Sequence, residues 1–345
     1  MSASVSAQKR YMTRNSHLHN YAPNQNQSTH YQQKSAPQTT QNIVFRPLPF
    51  YDKICEIIVP TVLQSYGSLG RPNESQIEFK LSIDMADAVA MSRHDTHIVL
   101  RFCHIDLLAD QQDDNFPPDV IINVNGRQVI LPPAIANPNK PNVPAKRPGQ
   151  HVDITKECKL CPFINNYVNI KWLIDPTEPQ RQYACSLIVG IKQTAETLLN
   201  RIKQKGLSDP TATMKIIADT DNEVATTNLQ CSLLCPLGKM RMSAPCKSIR
   251  CKHIPCFDAM IYLQMNEKKA TWICPVCYKP AYFPDLMIDG YFTAILTNTA
   301  SSVTDVTLNL DGSWNPVLKM EQPSYTGNHD QSAPEVITIS DDDDD

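Results

Sequence analysis

The sequence predicts an α+β chain: a β-rich sandwich domain, a linking helix, and a small single-zinc domain with a C-terminal extension, set between disordered ends. Three observations carry this. Short apolar runs punctuated by Pro and Gly extend from Phe45 to about Ile191. The stretch Leu187 to Lys205 has apolar residues at helical spacing. Seven of the twelve cysteines, together with His253, fall between Cys231 and Cys277.

Residues 1–44 are rich in Ser, Gln, Asn, His and Thr and poor in aliphatics. Such a segment buries too little apolar surface to offset the entropy of ordering, so disorder is expected. Residues 45–186 form the β-rich domain. Its strand-like runs include IEFKLSI (Ile77 to Ile83), THIVLRFC (Thr96 to Cys103) and YVNIKWLI (Tyr167 to Ile174). In DVIINVNGRQVILP (Asp119 to Pro132), Asn125-Gly126 is a tight-turn signal between two such runs. The Pro-rich stretch Pro132 to Gly149 reads as a surface loop. Residues 187–206 are assigned to the linking helix, with Ile188, Ile191, Ala195, Leu198, Leu199 and Ile202 on one face and Gly206 as the stop. Residues 207–318 hold the Cys/His cluster and its extension. Residues 319–345 are a polar, acidic tail expected to be disordered.

The formal net charge is -3, and the five C-terminal aspartates, Asp341 to Asp345, more than account for it. A body this close to neutral announces no strongly basic nucleic-acid-binding face. No stretch is apolar for the ~18 to 20 residues a membrane helix needs. The N-terminus lacks the apolar core of a secretory signal. An intracellular chain keeps its thiols reduced, so a dense cysteine cluster points to a metal rather than to disulfides.

The cluster can be tested against the two-metal cross-brace of a RING, in which four ligand pairs alternate between two ions. The fourth pair is Cys274-Pro-Val-Cys277 and the second is Cys251-Lys-His253. The third begins at Cys256 and reaches Ala259; the first, if it ends at Cys235, begins at Ser232. One ion therefore keeps Cys251, His253, Cys274 and Cys277, a tetrahedral Cys₃His set suited to structural zinc. The other loses two ligands of four, so one zinc is expected, with Cys235 and Cys256 as buried structural cysteines beside hydroxyl hydrogen bonds. A disulfide network, a catalytic thiol and a nucleic-acid zinc finger remain as competing readings of the cysteines. The separate Cys158-Lys-Leu-Cys161 has no matching second pair, which favours chance or packing.

The segment from Cys231 to Cys277 closely resembles the SP-RING of the PIAS family of SUMO ligases. The likeness continues in LNRIKQKG (Leu199 to Gly206), NEVATTNLQ (Asn222 to Gln230), LMIDGYF (Leu286 to Phe292) and DGSWNPV (Asp311 to Val317). In the β-rich region, PFYD (Pro49 to Asp52), INVNGRQVILP and KRPG resemble the family's PINIT domain. The motif naming that domain stands here as HVDIT, His151 to Thr155, with only its last two residues in common. The SAP domain that usually opens the family is not expected, since the first 44 residues show no helical periodicity; neither is DNA binding by that route.

The resemblance implies a SUMO-protein transferase without a catalytic side chain. A conjugating enzyme carries SUMO as a thioester, and the ligase orients that complex beside a substrate lysine. By position, Pro236, Leu237, Trp272, Pro275 and Val276 would contact the conjugating enzyme. The tail residues Val336, Ile337 and Ile339, followed by Asp341, Asp342 and Asp343, resemble a SUMO-interacting motif, a β-branched run able to add to a sheet edge beside acidic residues. Implied partners are the conjugating enzyme, SUMO and protein substrates among transcription or chromatin factors, with the nucleus as location. A non-catalytic adaptor that binds transcription factors and SUMO is the competing function, and a ubiquitin ligase a weaker third.

Overall fold

The computed structural model describes residues 43–65, 70–91, 95–136, 145–220 and 229–317. The disorder expected of residues 1–42, and the whole tail from 319 with Val336, Ile337, Ile339 and Asp341 to Asp343, lie outside the described residues. So do residues 222–228 of the NEVATTNLQ segment. The described chain begins at Ile43, two residues before Phe45: Ile43 is buried, and the Val44 carbonyl accepts the Gln112 N–H at 2.8 Å.

The N-terminal half is a sandwich of two four-stranded sheets. In chain order it contains β1 (Tyr51–Leu63), β2 (Asn73–Phe79), α1 (Ile83–Met91), β3 (Thr96–His104), β4 (Ile121–Val124), β5 (Arg127–Gln128), β6 (Val152–Asp153), β7 (Asn166–Trp172) and β8 (Tyr183–Lys192). One sheet runs β1-β8-β3-β6 and the other β2-β7-β4-β5, with antiparallel pairing throughout. The period-two alternation of the sequence is what fills the space between them. Ile98, Leu100 and Phe102 of β3 and Leu187 and Val189 of β8 meet Ile122, Val124, Val168 and Ile170 from the opposite sheet. The β4–β5 turn puts Asn125 at φ 51° and Gly126 at φ 83°, the left-handed pair that a two-residue hairpin needs.

The linking helix is shorter than its periodicity suggested. Residues 187–192 belong to β8, and the helix α2 spans Ala195–Gln204. Every residue from Tyr183 to Gly190 is buried, because β8 lies between β1 and β3 in a sheet covered on both faces. A strand apolar on both sides has no alternation to betray it, and the chance spacing of Ile188, Ile191 and Ala195 imitates a helix. The boundary is set instead by Thr194, whose hydroxyl caps the Thr197 N–H at 3.2 Å. Gly206, at φ 86°, ends the helix as expected.

The C-terminal half follows with β9 (Leu207–Ser208), α3 (Pro210–Thr220), β10 (Leu229–Ser232), β11 (Pro245–Ser248), β12 (Phe257–Asp258), α4 (Ala259–Lys268), β13 (Leu286–Asp289), α5 (Gly290–Asn298), β14 (Asp305–Leu308) and β15 (Trp314–Pro316). The sheets are β12-β11-β13-β9 and β10-β14-β15. Leu198, Leu199 and Ile202 of α2 join Phe257, Leu263, Leu286 and Phe292 in one core. Asp289, fully buried, ties three elements together. It caps α5 through the Phe292 N–H (2.9 Å), accepts the Thr213 hydroxyl (2.7 Å) and pairs with Lys247 (2.8 Å). No helix among the described residues is long and apolar enough to cross a membrane.

Ile202 is wholly enclosed in that core while its neighbour Lys203 is exposed. Replacing Ile202 by Ala is expected to cost about 2–5 kcal/mol, read as a lower urea midpoint, and Lys203→Ala less than about 0.5 kcal/mol.

Candidate metal centre

The four donors singled out by spacing meet in space. One ligand atom from each of Cys251, His253, Cys274 and Cys277 lies within 4.8 Å of all the others. The Cys251 and Cys277 sulfurs are 3.9 Å apart, and the His253 Nε2 is 3.2 Å from the Cys274 sulfur. A tetrahedral zinc with Zn–S bonds of ~2.3 Å holds its sulfurs ~3.8 Å apart, so the spacing fits. The histidine is preset as well. Its Nδ1 faces the Pro255 carbonyl at 2.9 Å, and a carbonyl can only accept, so Nδ1 carries the proton and Nε2 is left as the ligand atom.

The electrostatics of the cluster point the same way. Burial pushes the Cys251 thiol up to about 12, and the charge of Cys274 adds to it. Burial also raises Cys274. It acts upward on Cys277 too, but hydrogen bonds from the Lys279 backbone N–H and from the neighbouring thiols outweigh it and hold that group below its usual value. His253 is lowered by burial and so is neutral at pH 7. Crowded sulfurs that resist ionising together are what a divalent cation relieves, and neutral imidazole is the form that ligates.

Two loops here share one backbone design. In the loop after Cys274, its N–H donates to the Lys279 carbonyl (2.9 Å), its carbonyl accepts the Tyr278 N–H (3.0 Å), and Tyr278 sits at φ 58°. In the loop after Cys235, its N–H donates to Met240 (2.7 Å), its carbonyl accepts Lys239 N–H (2.8 Å), and Lys239 sits at φ 54°. Cys235 therefore stands where Cys274 stands, as the first member of its pair. The absent ligand is at Gly238, and the assignment of that position to Ser232 is corrected. Ser232 lies on β10 with an exposed side chain, its hydroxyl bonded to the Thr304 carbonyl at 3.3 Å. Spacing erred because it counted backward from Cys235 when the pair runs forward. The likeness of Cys-Pro-Leu-Gly to Cys-Pro-Val-Cys was the available signal.

Side chains occupy the place where this pair offers no second donor. A Cβ on Gly238 would come within 2.5 Å of Ile261 Cδ1, so Ile261 fills the space of the absent thiol. Cys235 and Cys256 are buried; the Cys235 sulfur accepts the Asp258 backbone N–H at 3.2 Å, rather than a hydroxyl as the sequence suggested. Burial holds Cys256 well above the usual thiol range. The buried carboxylate of Asp258 accepts from Ser243 N–H (2.8 Å), Ser243 Oγ (3.0 Å) and Ala244 N–H (3.0 Å), and caps α4 through Met260 N–H (3.0 Å) and Ile261 N–H (3.3 Å). Sequence reading passed over Asp258, since one aspartate before a helix reads as an ordinary cap.

The loops display Pro236, Leu237, Pro275 and Val276, each partly exposed. Trp272 does not join them. It is only 8% exposed, with its ring stacked on Phe50 (centroids 5.9 Å apart) and edge-on to Tyr262 and Phe283. Its placement as a contact on the loop surface is therefore corrected: Trp272 is an interior residue. Its φ of 50° is unusual for a bulky side chain and costs on the order of 1–3 kcal/mol. Asn266 holds it there by accepting both the Thr271 and Trp272 N–H groups, at 3.0 and 2.7 Å. Cys158 and Cys161 belong to no cluster of metal-ligating side chains among the described residues.

Two outcomes follow for the centre. Zinc uptake must displace the proton held by Cys251, so affinity is expected to fall by about tenfold or more per unit of pH below neutrality, measured by chelator competition at pH 6 and pH 7. Asp258→Ala leaves several buried N–H groups without an acceptor and is expected to cost about 3 kcal/mol in urea unfolding of the zinc-loaded chain, with zinc content retained.

Comparison with known proteins places both halves. Residues 42–189 match the family model for the PINIT domain, and residues 231–280 match that for the MIZ/SP-RING zinc finger. The chain is 38% identical over 295 residues to the E3 SUMO-protein ligase PIAS2 of Homo sapiens, a match covering 81% of this chain and 46% of the relative. It is 37% identical over 297 residues to the E3 SUMO-protein ligase PIAS3 of Mus musculus, covering 82% of this chain and 46% of that protein. The chain thus spans about half the length of the curated relatives it matches. Among solved structures, the S. cerevisiae SUMO E3 ligase SIZ2 superposes with a TM-score of 0.59 at 28% identity, covering 78% of this chain and 99% of that one. SIZ1 of the same yeast gives 0.61 at 25%, covering 83% and 99%. With a PINIT sandwich leading through α2 into an SP-RING built on Cys251, His253, Cys274 and Cys277, the chain belongs to the PIAS family.

Proposed function

We propose that this chain is a SUMO-protein ligase that works by scaffolding. The observation that carries the reading is the pair of matched loops, each displaying a Pro and an aliphatic side chain, held rigid by one Cys₃His centre and one Asp258 hydrogen-bond hub. The similarity to proteins named E3 SUMO-protein ligase, and to the SUMO E3 ligases SIZ1 and SIZ2, supports the same activity.

The chemistry asks little of the ligase side chains. The SUMO thioester on the conjugating enzyme is already activated, and the barrier is lowered by holding it and the substrate lysine in attack geometry, an effect worth about 7 kcal/mol or more for well-aligned groups. Pro236 and Leu237 on one loop and Pro275 and Val276 on the other meet the conjugating enzyme. Zinc, when bound, supplies structure: all four ligand positions are protein donors, so no position remains for water or substrate. One ion per chain is the count this reading requires, since Gly238 and Ala259 offer no donor to a second. Transcription or chromatin proteins in the nucleus are the proposed substrates, and the tail around Ile337 and Ile339 the proposed SUMO contact.

A reconstituted assay offering SUMO and ubiquitin separately, each with its own conjugating enzyme, is expected to show acceleration with SUMO only. Leu237→Ala and Pro275→Ala are each expected to slow transfer roughly tenfold at unchanged zinc content, the effect of losing a buried anchor. Unchanged rates in both would remove the contact assignment. Metal analysis is expected to give one zinc per chain; two would overturn the reading of Gly238 and Ala259.

A further inference from the structure

The segment from Arg46 to Asp52 leads into the sandwich, and Arg46 and Tyr51 touch Asp113, His97 and His151 there, yet Arg46, Phe50 and Asp52 also reach into the zinc-organised half. Phe50 is buried within the core of that half, with Tyr51 packed against it. Its ring stacks on Trp272 at an interplanar angle of 27°. Asp52 grips Arg201 of α2 with both carboxylate oxygens, at 2.8 and 2.5 Å. The Arg46 guanidinium lies 4.0 Å over the ring of Tyr282.

Two of these contacts, Phe50 on Trp272 and Arg46 on Tyr282, meet the base of one hairpin. Its arms are bridged at Ile273 and Pro280, and the Trp272 carbonyl accepts the Ala281 N–H at 2.7 Å. Its tip is the Cys274–Tyr278 loop, which carries two metal donors together with Pro275 and Val276. Trp272 is two residues from Cys274 and in the left-handed backbone region. A bulky residue stays there only while its surroundings over-determine it. Asn266 fixes the backbone from one side. Phe50 fixes the ring from the other.

We propose that Phe50 is a positioning residue for SUMO transfer: by stacking on Trp272 it sets the pitch of the Cys274–Tyr278 loop and thereby presents Pro275 and Val276 to the conjugating enzyme. The PINIT domain then has a role in catalysis separate from any choice of substrate. This inference rests on the ligase reading above. An aromatic pair in an ordinary core adds stability and nothing more. This pair differs because its strained member is separated by a single residue from the metal-binding loop.

The test is discharge of SUMO from the charged conjugating enzyme to free lysine, which removes protein-substrate recognition from the measurement. The whole chain is used, zinc-loaded, as wild type, Phe50→Ala and Phe50→Tyr, over a range of charged conjugating enzyme. Phe50→Ala is expected to raise the half-saturating concentration roughly three- to tenfold, the fold-change that one aromatic pair supports, with the saturating rate little changed. Phe50→Tyr, which keeps the ring, is expected to restore the wild-type value. Should Phe50→Ala fail to fold, Asp52→Asn loosens the same segment from Arg201 and is expected to shift the half-saturating concentration in the same direction. A folded, zinc-loaded Phe50→Ala with wild-type half-saturation, its only defect a lower unfolding midpoint, would overturn the proposal. Wild type that discharges no faster than the conjugating enzyme alone would instead remove the ligase reading beneath it.

Discussion

Three sulfurs and one imidazole nitrogen within 4.8 Å of one another are the constraint on which this half of the molecule turns. Burial raises the Cys251 and Cys274 thiols above their usual range, and the charge of Cys274 adds to the elevation of Cys251. A divalent cation favours the thiolate form of these buried sulfurs, so metal binding is coupled to folding of the loop region. The four donors come from two chain segments, Cys251 to His253 and Cys274 to Cys277, with α4 between them in the chain.

The other loop reaches the same backbone shape with no four-donor cluster beside it among the described residues. Cys235 keeps the hydrogen bonds of a metal-binding turn, but its sulfur accepts the Asp258 N–H. The Asp258 carboxylate accepts from Ser243, Ala244, Met260 and Ile261, and Ile261 occupies the room left at Gly238. A buried carboxylate is costly unless satisfied; with five donors it becomes a directional hub that pins the β11–α4 region to the loop. Ligand bonds and hydrogen bonds thus do matching jobs at the two loops.

The sandwich is joined to this region by more than α2. The side chains of Arg46, Phe50 and Asp52 reach Tyr282, Trp272 and Arg201, so the segment entering the first strand of one half is held against the other. Residues of the β-rich domain thus also take part in the zinc-organised half, Phe50 in its core. The PFYD motif supplies Phe50 and Asp52 to that joint.

Local features of the sequence carried far. Asn125-Gly126 announced its hairpin because few residue pairs tolerate two successive left-handed conformations. The spacing of Cys251, His253, Cys274 and Cys277 announced a donor set because ligand pairs on tight turns must be close along the chain. Gly206 marked a helix end for a similarly local reason. What sequence by itself could not decide depended on neighbours distant in the chain. Leu187 to Lys192 became strand because β1 and β3 enclose it on either side. The empty ligand position fell at Gly238 because the turn runs forward from Cys235, a direction fixed by hydrogen bonds to Lys239 and Met240. Trp272 went inside because Phe50, far earlier in the chain, lies against it. Spacing along a chain records which donors and turns are possible; burial and register are settled only when separate segments compete for the same space.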